Sequence, residues 1–255
     1  AVARVQGFQG EDLADLGTIA ACVKHYAGYG FAEGGRDYNT VDVSESTLWN
    51  VILPPFRAAV EAGVATVMNG FNVLGGIPAT GSAYLQRDIL KGDWGFAGFV
   101  VSDYSSIWEM VSHGVARDAA EAARLAITAG SDMDMESSAY LEHLERLIAS
   151  GAVDVDLLDD AVRRVLRVKF ALGLFDDPYR YSNPEREAAS TLTPENLAIA
   201  RDIARRSIVL LKNQNDLLPL SDGVRSIAVI GALAADKDTP LGSWRAQGAP
   251  NSAVS

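Results

Sequence analysis

Four short apolar runs punctuate the first half of the chain, and each ends in polar or glycine-rich residues. They are ACVKHYAGYG (21–30), GVATVMNGFN (63–72), GFAGFVVSDY (95–104) and ITAGSDMDM (127–135). Segments of helical spacing lie between them. Asp42 and Glu45 read as a capping box ahead of a helix carrying Leu48, Val51 and Ile52. Pro54 and Pro55 break or restart that helix, which runs to Glu61 and stops near Gly63. SAYLQRDILKG (82–92) and ARDAAEAARLAITAG (116–130) have the same spacing and close on glycine. Strand and helix alternate, which predicts a parallel sheet covered by helices. Strands of that kind are buried on both faces, so their apolar character is continuous.

A long helix follows at 155–175, capped by Asp154 and closed near Gly173. Residues 176–192 are proline-bearing, charged and almost free of aliphatic side chains, the composition of a linker. A further helix takes Thr193 as N-cap and Pro194 as its first residue, and runs through 197–213. RSIAVIG (225–231) reads as the first strand of another α/β unit. The expected organisation is therefore a domain over 1–175, a linker over 176–192 and the opening of a second domain over 193–255. A closed eight-stranded α/β barrel takes about 250 residues. Four strand–helix units fit before the linker, so the sequence reads either as a very small fold or as a window cut from a larger protein.

Charge narrows the partners. The chain has 22 Lys+Arg and 33 Asp+Glu, a net −11, with no long basic run. That balance argues against nucleic acid and anionic membranes, which require a basic surface. Cys22 is the only cysteine, which removes a disulfide framework and a thiolate metal cluster. No apolar stretch approaches the roughly 20 residues of a membrane span, and no signal peptide is visible.

The candidate chemistry collects where strands end. FVVS (99–102) is too apolar to leave either face in water, yet it stops at Asp103. That position is the carboxyl end of a parallel strand, the active-site face of α/β barrels. Lys24 and His25 follow the strand residues 21–23. Lys24 reads either as a rim lysine paired to a carboxylate or, with His25, as a donor set for a polyhydroxylated ligand. Arg36 lies in the two-glycine loop EGGRDYNT (33–40), which also reads as a surface turn. Met68 ends a strand, where a core role competes with a ligand contact. Asp132 and Asp134 read as loop caps or as holders of neighbouring side chains. Trp49, Trp94 and Trp108 read as packing residues, and His113 and His143 have no partner in sequence. HExxH, GxGxxG and phosphate-cradling lysine loops do not occur.

Taken in order, KHYAGYGFAEGGRDYNTVDVS, VMNGFNVLGGIPAT, DWGFAGFVVSDY, AVRRVLRVKFALGLFDDPY and ARRSIVLLKN…LLPL closely resemble glycoside hydrolase family 3. The nearest subgroup is the bacterial β-glucosidases of the periplasm and cell exterior. The resemblance implies an α/β fold with an N-terminal (β/α)8 barrel followed by an α/β sandwich domain, of which this chain would hold the C-terminal half of the barrel, a linker and the start of the sandwich. It implies a retaining β-glycosidase without a cofactor, acting on β-linked glucosides or oligosaccharides. Asp103, in the family's SD motif, would be the nucleophile. Lys24 and His25 would bind sugar hydroxyls, Tyr104 would lie near the glycone or aglycone, and Met68 would sit at the edge of the sugar pocket. Arg36 is a further candidate for substrate contact. The acid/base would be a glutamate of the second domain, beyond Ser255, and residues 1–255 alone would then be inactive. The β-N-acetylglucosaminidase branch is disfavoured, because Tyr29 stands where its second motif histidine would be. A β-xylosidase or another exo-glycosidase of the family remains an alternative. So do a barrel aldolase using Lys24 as Schiff base and an inactive fragment.

Overall fold

The computed structural model describes residues 1–253 except 247 and 249. Two compact units are present, residues 1–184 and 185–255.

The first unit is built on three parallel strands, β1 (Cys22–Tyr26), β3 (Thr66–Asn69) and β6 (Phe99–Val101), in the order β1-β3-β6. Val23 pairs with Val67, and Met68 with Val101. A parallel bridge from Val101 to Met133 adds a fourth position. This is an arc of neighbouring parallel strands with helical crossovers, the repeating unit of an α/β barrel. Val67 and Val100 are fully buried, as strands covered on both faces require.

Helices α1 (Val2–Gln9), α2 (Glu45–Thr47) and α3 (Pro54–Glu61) accompany β1. A π-helix, Tyr84–Asp93, precedes β6. Leu53, Leu85, Ile89 and Leu90 pack against Tyr26, Val67 and Val100 to form the main core. Tyr26 is wholly buried, with its hydroxyl donating to the Leu85 carbonyl at 2.8 Å. After β6 come α4 (Ser106–Ser112), α5 (Ala119–Ala129), α6 (Ala139–Ala149) and α7 (Val155–Ala171). Alanines 122, 123 and 126 let α4, α5 and α6 approach closely in a second core.

Several sequence expectations are corrected. The capping residue before α2 is Ser44, whose hydroxyl accepts from the Thr47 amide at 3.2 Å, and Asp42 has no part in it. The fourth apolar run is mostly helix, because Ile127, Thr128 and Ala129 complete α5, and strand pairing survives at Met133 alone. The glycine-rich loop after Met68 contains a hairpin. β4 (Val73–Leu74) turns through Gly75 and Gly76, both at positive φ, into β5 (Ile77–Pro78), while β2 (Thr40–Val41) pairs with β4. Two positive-φ residues between short strands form the turn that follows strand twist. Trp108 and Trp49 are exposed rather than packed, and only Trp94 joins the core.

In the second unit, α8 (Pro184–Ser190) occupies part of the predicted linker. Helix α9 (Pro194–Ser207) has its Thr193 cap as expected, accepting from the Asn196 amide at 3.2 Å, but it stops six residues short of 213. Residues 225–231 form no strand, and Ile227, Val229 and Ile230 are exposed. A strand exists through its hydrogen-bonded neighbour, and none of the described residues pairs with this run.

Gly98 marks a close approach to backbone in the first unit. A Cβ there would collide with the Ala65 carbonyl oxygen and with the Phe96 ring. Backbone cannot yield as a side chain can, so Gly98→Ala is expected to lower stability by about 3 kcal/mol, the upper range for overpacking. Urea unfolding measures this. A loss below about 0.5 kcal/mol, the scale of ordinary surface changes, would show that the strand moves aside freely.

Candidate active site

The end of β6 is held from the chain segment beside it. Val100 donates its amide to Asp132 Oδ2 at 2.8 Å, and its carbonyl accepts from the amides of Asp132 and Met133. Ser102 donates to the Met133 carbonyl at 2.9 Å, and its hydroxyl accepts from the Met135 amide at 2.8 Å. The Ser105 amide then reaches the Met135 carbonyl at 2.8 Å. Asp132 is itself fixed by Lys91, whose ammonium lies 2.6 Å from Oδ1 and 2.9 Å from the Gly130 carbonyl. Burial pushes Lys91 down to about 8 against the pull of Asp132, and raises the Asp132 carboxyl. Asp132 thus has the side-chain-holding role that was one of its two expected readings.

Asp103 follows this clamped strand. It is 6% exposed. One oxygen, Oδ1, accepts from the Tyr104 amide at 2.7 Å. The other, Oδ2, is buried without a hydrogen bond and lies 3.4 Å from His25 Nε2. A buried carboxylate oxygen without a donor is costly.

His25 comes from the last turn of β1, where the Lys24–His25 and Tyr26–Ala27 peptides are cis. Its ring meets the Tyr29 ring edge-on at 5.0 Å between centroids. The Tyr29 hydroxyl donates to the Asp37 carboxylate. Burial lowers the His25 pKa below its ordinary 6.5; Asp103 opposes the shift and Lys24 assists it. The imidazole is therefore neutral near pH 7, able to donate from one nitrogen and accept at the other.

The remaining predicted residues do not all converge on Asp103, and Lys24 and Arg36 each line a recess whose walls include neither Asp103 nor His25. Lys24 is exposed and lines a cavity of about 520 Å³ with Arg4, Phe8 and Phe56 on α1 and α3. Met68 is half-buried and pairs with Val101 of β6, two residues before Asp103. Tyr104 is exposed beside Asp103. Arg36 borders a shallow recess with Tyr29 and Asp37. Sequence reasoning missed Tyr29 as the link from His25 to Asp37, and it gave Glu109 no role in the site. Glu109 Oε2 is buried without a partner, and burial, then Asp103 and Asp37, raise its pKa. No spacing rule connects residue 109 with residue 37; the fold alone brings them near.

Residues 1–168 match the family model described as the Glycosyl hydrolase family 3 N terminal domain. The chain belongs to glycosyl hydrolase family 3. Among curated relatives, the "Periplasmic beta-glucosidase" of Salmonella typhimurium is 44% identical over 98% of this chain and 33% of its own length. A "Beta-xylosidase" of Formosa agariphila is 36% identical over 97% of this chain and 36% of its own. A crystal structure of a mutant β-glucosidase from Listeria innocua with laminaribiose superposes with TM-score 0.80 at 43% identity, covering 86% of this chain and 31% of that one. A β-glucosidase involved in saponin metabolism from intestinal bacteria superposes with TM-score 0.85 at 36% identity, covering 99% and 35%. This family 3 chain thus spans about a third of the length of the relatives it matches. The parallel arc of the first unit agrees with the barrel that the resemblance implied.

The depressed His25 sets a pH dependence with a definite sign. Below pH 6.5 the folded state binds fewer protons at this ring than the unfolded chain does, so the ring's contribution is complete above that value and is lost as pH falls through the folded pKa. In a titration followed by NMR, the His25 midpoint is expected below 6.5. Asp103→Asn should lower it further, because the carboxylate holds it up. A midpoint that rises in Asp103→Asn would contradict this electrostatic picture.

Proposed function

We propose that the protein of which this chain is part is a retaining exo-β-glycosidase acting on terminal β-glucosyl residues, with Asp103 as nucleophile. The observation that carries the reading is the undonated Oδ2 of Asp103 at the end of a rigid buried strand. Its attack on an anomeric carbon forms a C–O bond while the glycosidic C–O bond breaks, leaving a covalent glycosyl-enzyme. Water then displaces the sugar with help from a second carboxyl group about 5–5.5 Å away. In this proposal that group is a glutamate outside residues 1–255. The neutral His25, beside Asp103, and Lys24, with three N–H donors, bind sugar hydroxyls. Met68, Tyr104 and Arg36 border the bound substrate. The proposed domain division remains 1–175, 176–192 and 193–255.

The similarity to a relative named as periplasmic supports a periplasmic or extracellular enzyme. Among the described residues no helix is long and apolar enough to cross a membrane. A second reading, β-xylosidase, draws on the Formosa relative. The two substrates differ by one hydroxymethyl group, and relative kcat/KM on the aryl β-glucoside and β-xyloside separates them.

In the intact enzyme, Asp103→Ala is expected to reduce turnover by several orders of magnitude, the scale of deleting a covalent catalyst. A 2-fluoro glucoside followed by peptide mapping should label Asp103. Label on Glu109 or Glu136 would overturn the assignment.

A further inference from the structure

The turn from Asp103 to Ser106 lies between a strand that has ended and a helix that has just begun. One backbone hydrogen bond closes it, from the Ser106 amide to the Asp103 carbonyl at 3.0 Å. Ser105 within it has a positive φ of 58°, and no side chain of the turn caps α4. Regular structure therefore does little to set the direction of the Asp103 side chain on its C-terminal side.

A buried hydroxyl from another loop reaches this turn. Thr80, 1% exposed, donates from Oγ1 to Ser106 Oγ at 2.9 Å, and Ser106 is 4% exposed. Thr80 is itself fixed on its other side. Its carbonyl accepts from Gln86 Nε2 at 2.9 Å and lies 3.0 Å from Ser131 Oγ. Ser131 Oγ also lies 3.0 Å from Gln86 Oε1 and accepts from Asn69 Nδ2 at 2.8 Å. Asn69, Gln86 and Ser131 are fully buried. The chain of polar groups thus runs from the end of β3, through the segment beside β6, to the first residue of α4. In a buried network each group has few alternative partners, so fixing one member restricts the rest.

We propose that Thr80 is a positioning residue for the Asp103 carboxylate, acting through the Ser106 hydroxyl. The proposal rests on the reading of Asp103 as nucleophile. Thr80 touches neither substrate nor the reacting atoms. It holds the turn so that Oδ2 stays at the distance and angle that attack requires, which binding of the ground-state sugar does not demand.

The test uses the intact enzyme with Thr80→Val, Thr80→Ser and Ser106→Ala, read by the rate of covalent labelling with a 2-fluoro glucoside and by kcat and KM on an aryl β-glucoside. Thr80→Val keeps shape and removes the hydroxyl. Its labelling rate and kcat are expected to fall about tenfold with KM changed less than about twofold, since small displacements of reacting atoms are expensive in rate. Thr80→Ser should recover the rate to within about threefold. Ser106→Ala should match Thr80→Val, and the double variant should be no worse than either, as for partners in one bond. A group serving stability alone would lower Tm and leave the labelling rate of the folded fraction unchanged, and that result overturns the proposal. So does a Thr80→Ser variant as slow as Thr80→Val. Should Thr80→Val fail to fold, the Ser106→Ala labelling rate decides by the same criterion. Asp103→Ala runs beside them: if it keeps its activity, the nucleophile reading falls and the proposal falls with it, whereas an inactive Asp103→Ala with a fully active Thr80→Val removes only the proposal.

Discussion

The clamp on the last strand of the arc is the constraint on which the site depends. Residues 131–135 add scarcely any strand of their own, yet they hold Val100, Ser102 and Ser105 through backbone and hydroxyl bonds. Asp132 closes the clamp from within, and Lys91 holds Asp132. A buried ion pair of this kind is weak evidence for stability, because desolvation offsets much of the attraction. Its value here is geometric. With both Asp132 oxygens occupied, Val100 cannot slip in register, and the strand meets Asp103 at a defined height.

Beyond Asp103 the electrostatics are predominantly acidic. Asp37 and Asp103 both act on His25 and on Glu109, while His25 is kept neutral by burial. A neutral imidazole beside a carboxylate offers donor capacity without forming a full ion pair that would quench the carboxylate's charge. Tyr29 links this ring to Asp37, so the loop after β1 is tied to the floor of the site. The loop's glycines and its single arginine explain why it looked like a surface turn in the sequence. Arg36 is indeed exposed, and its place near Tyr29 and Asp37 comes from the way the loop folds back.

The family relation and the strand order explain each other. In parallel α/β architectures the carboxyl ends of strands gather on one side, so residues far apart in sequence converge without any local signal. His25 and Asp103 are separated by 78 positions and lie 3.4 Å apart at their nearest atoms. The dense alanine face of α5 allows the helices that follow Asp103 to pack closely, with Ile107 and Met110 of α4 buried against it.

The sequence by itself determined the alternation of apolar runs and helical segments, the position of Asp103 at a strand's end, the Thr193 cap and the family resemblance. These are readable because they depend on local periodicity and on contiguous motifs. Tertiary structure decided what depended on partners. RSIAVIG has a strand's composition but finds no neighbour among the described residues, and ITAGSDMDM gives most of its apolar residues to α5. Ser44 rather than Asp42 caps α2, because capping depends on where the chain turns and not only on residue type. The hydroxyl of Thr80 meets Ser106 across 26 residues, and Asn69 meets Ser131 across 62. Such bonds leave no periodic trace, since a buried polar group is satisfied by whatever the fold brings within 3 Å.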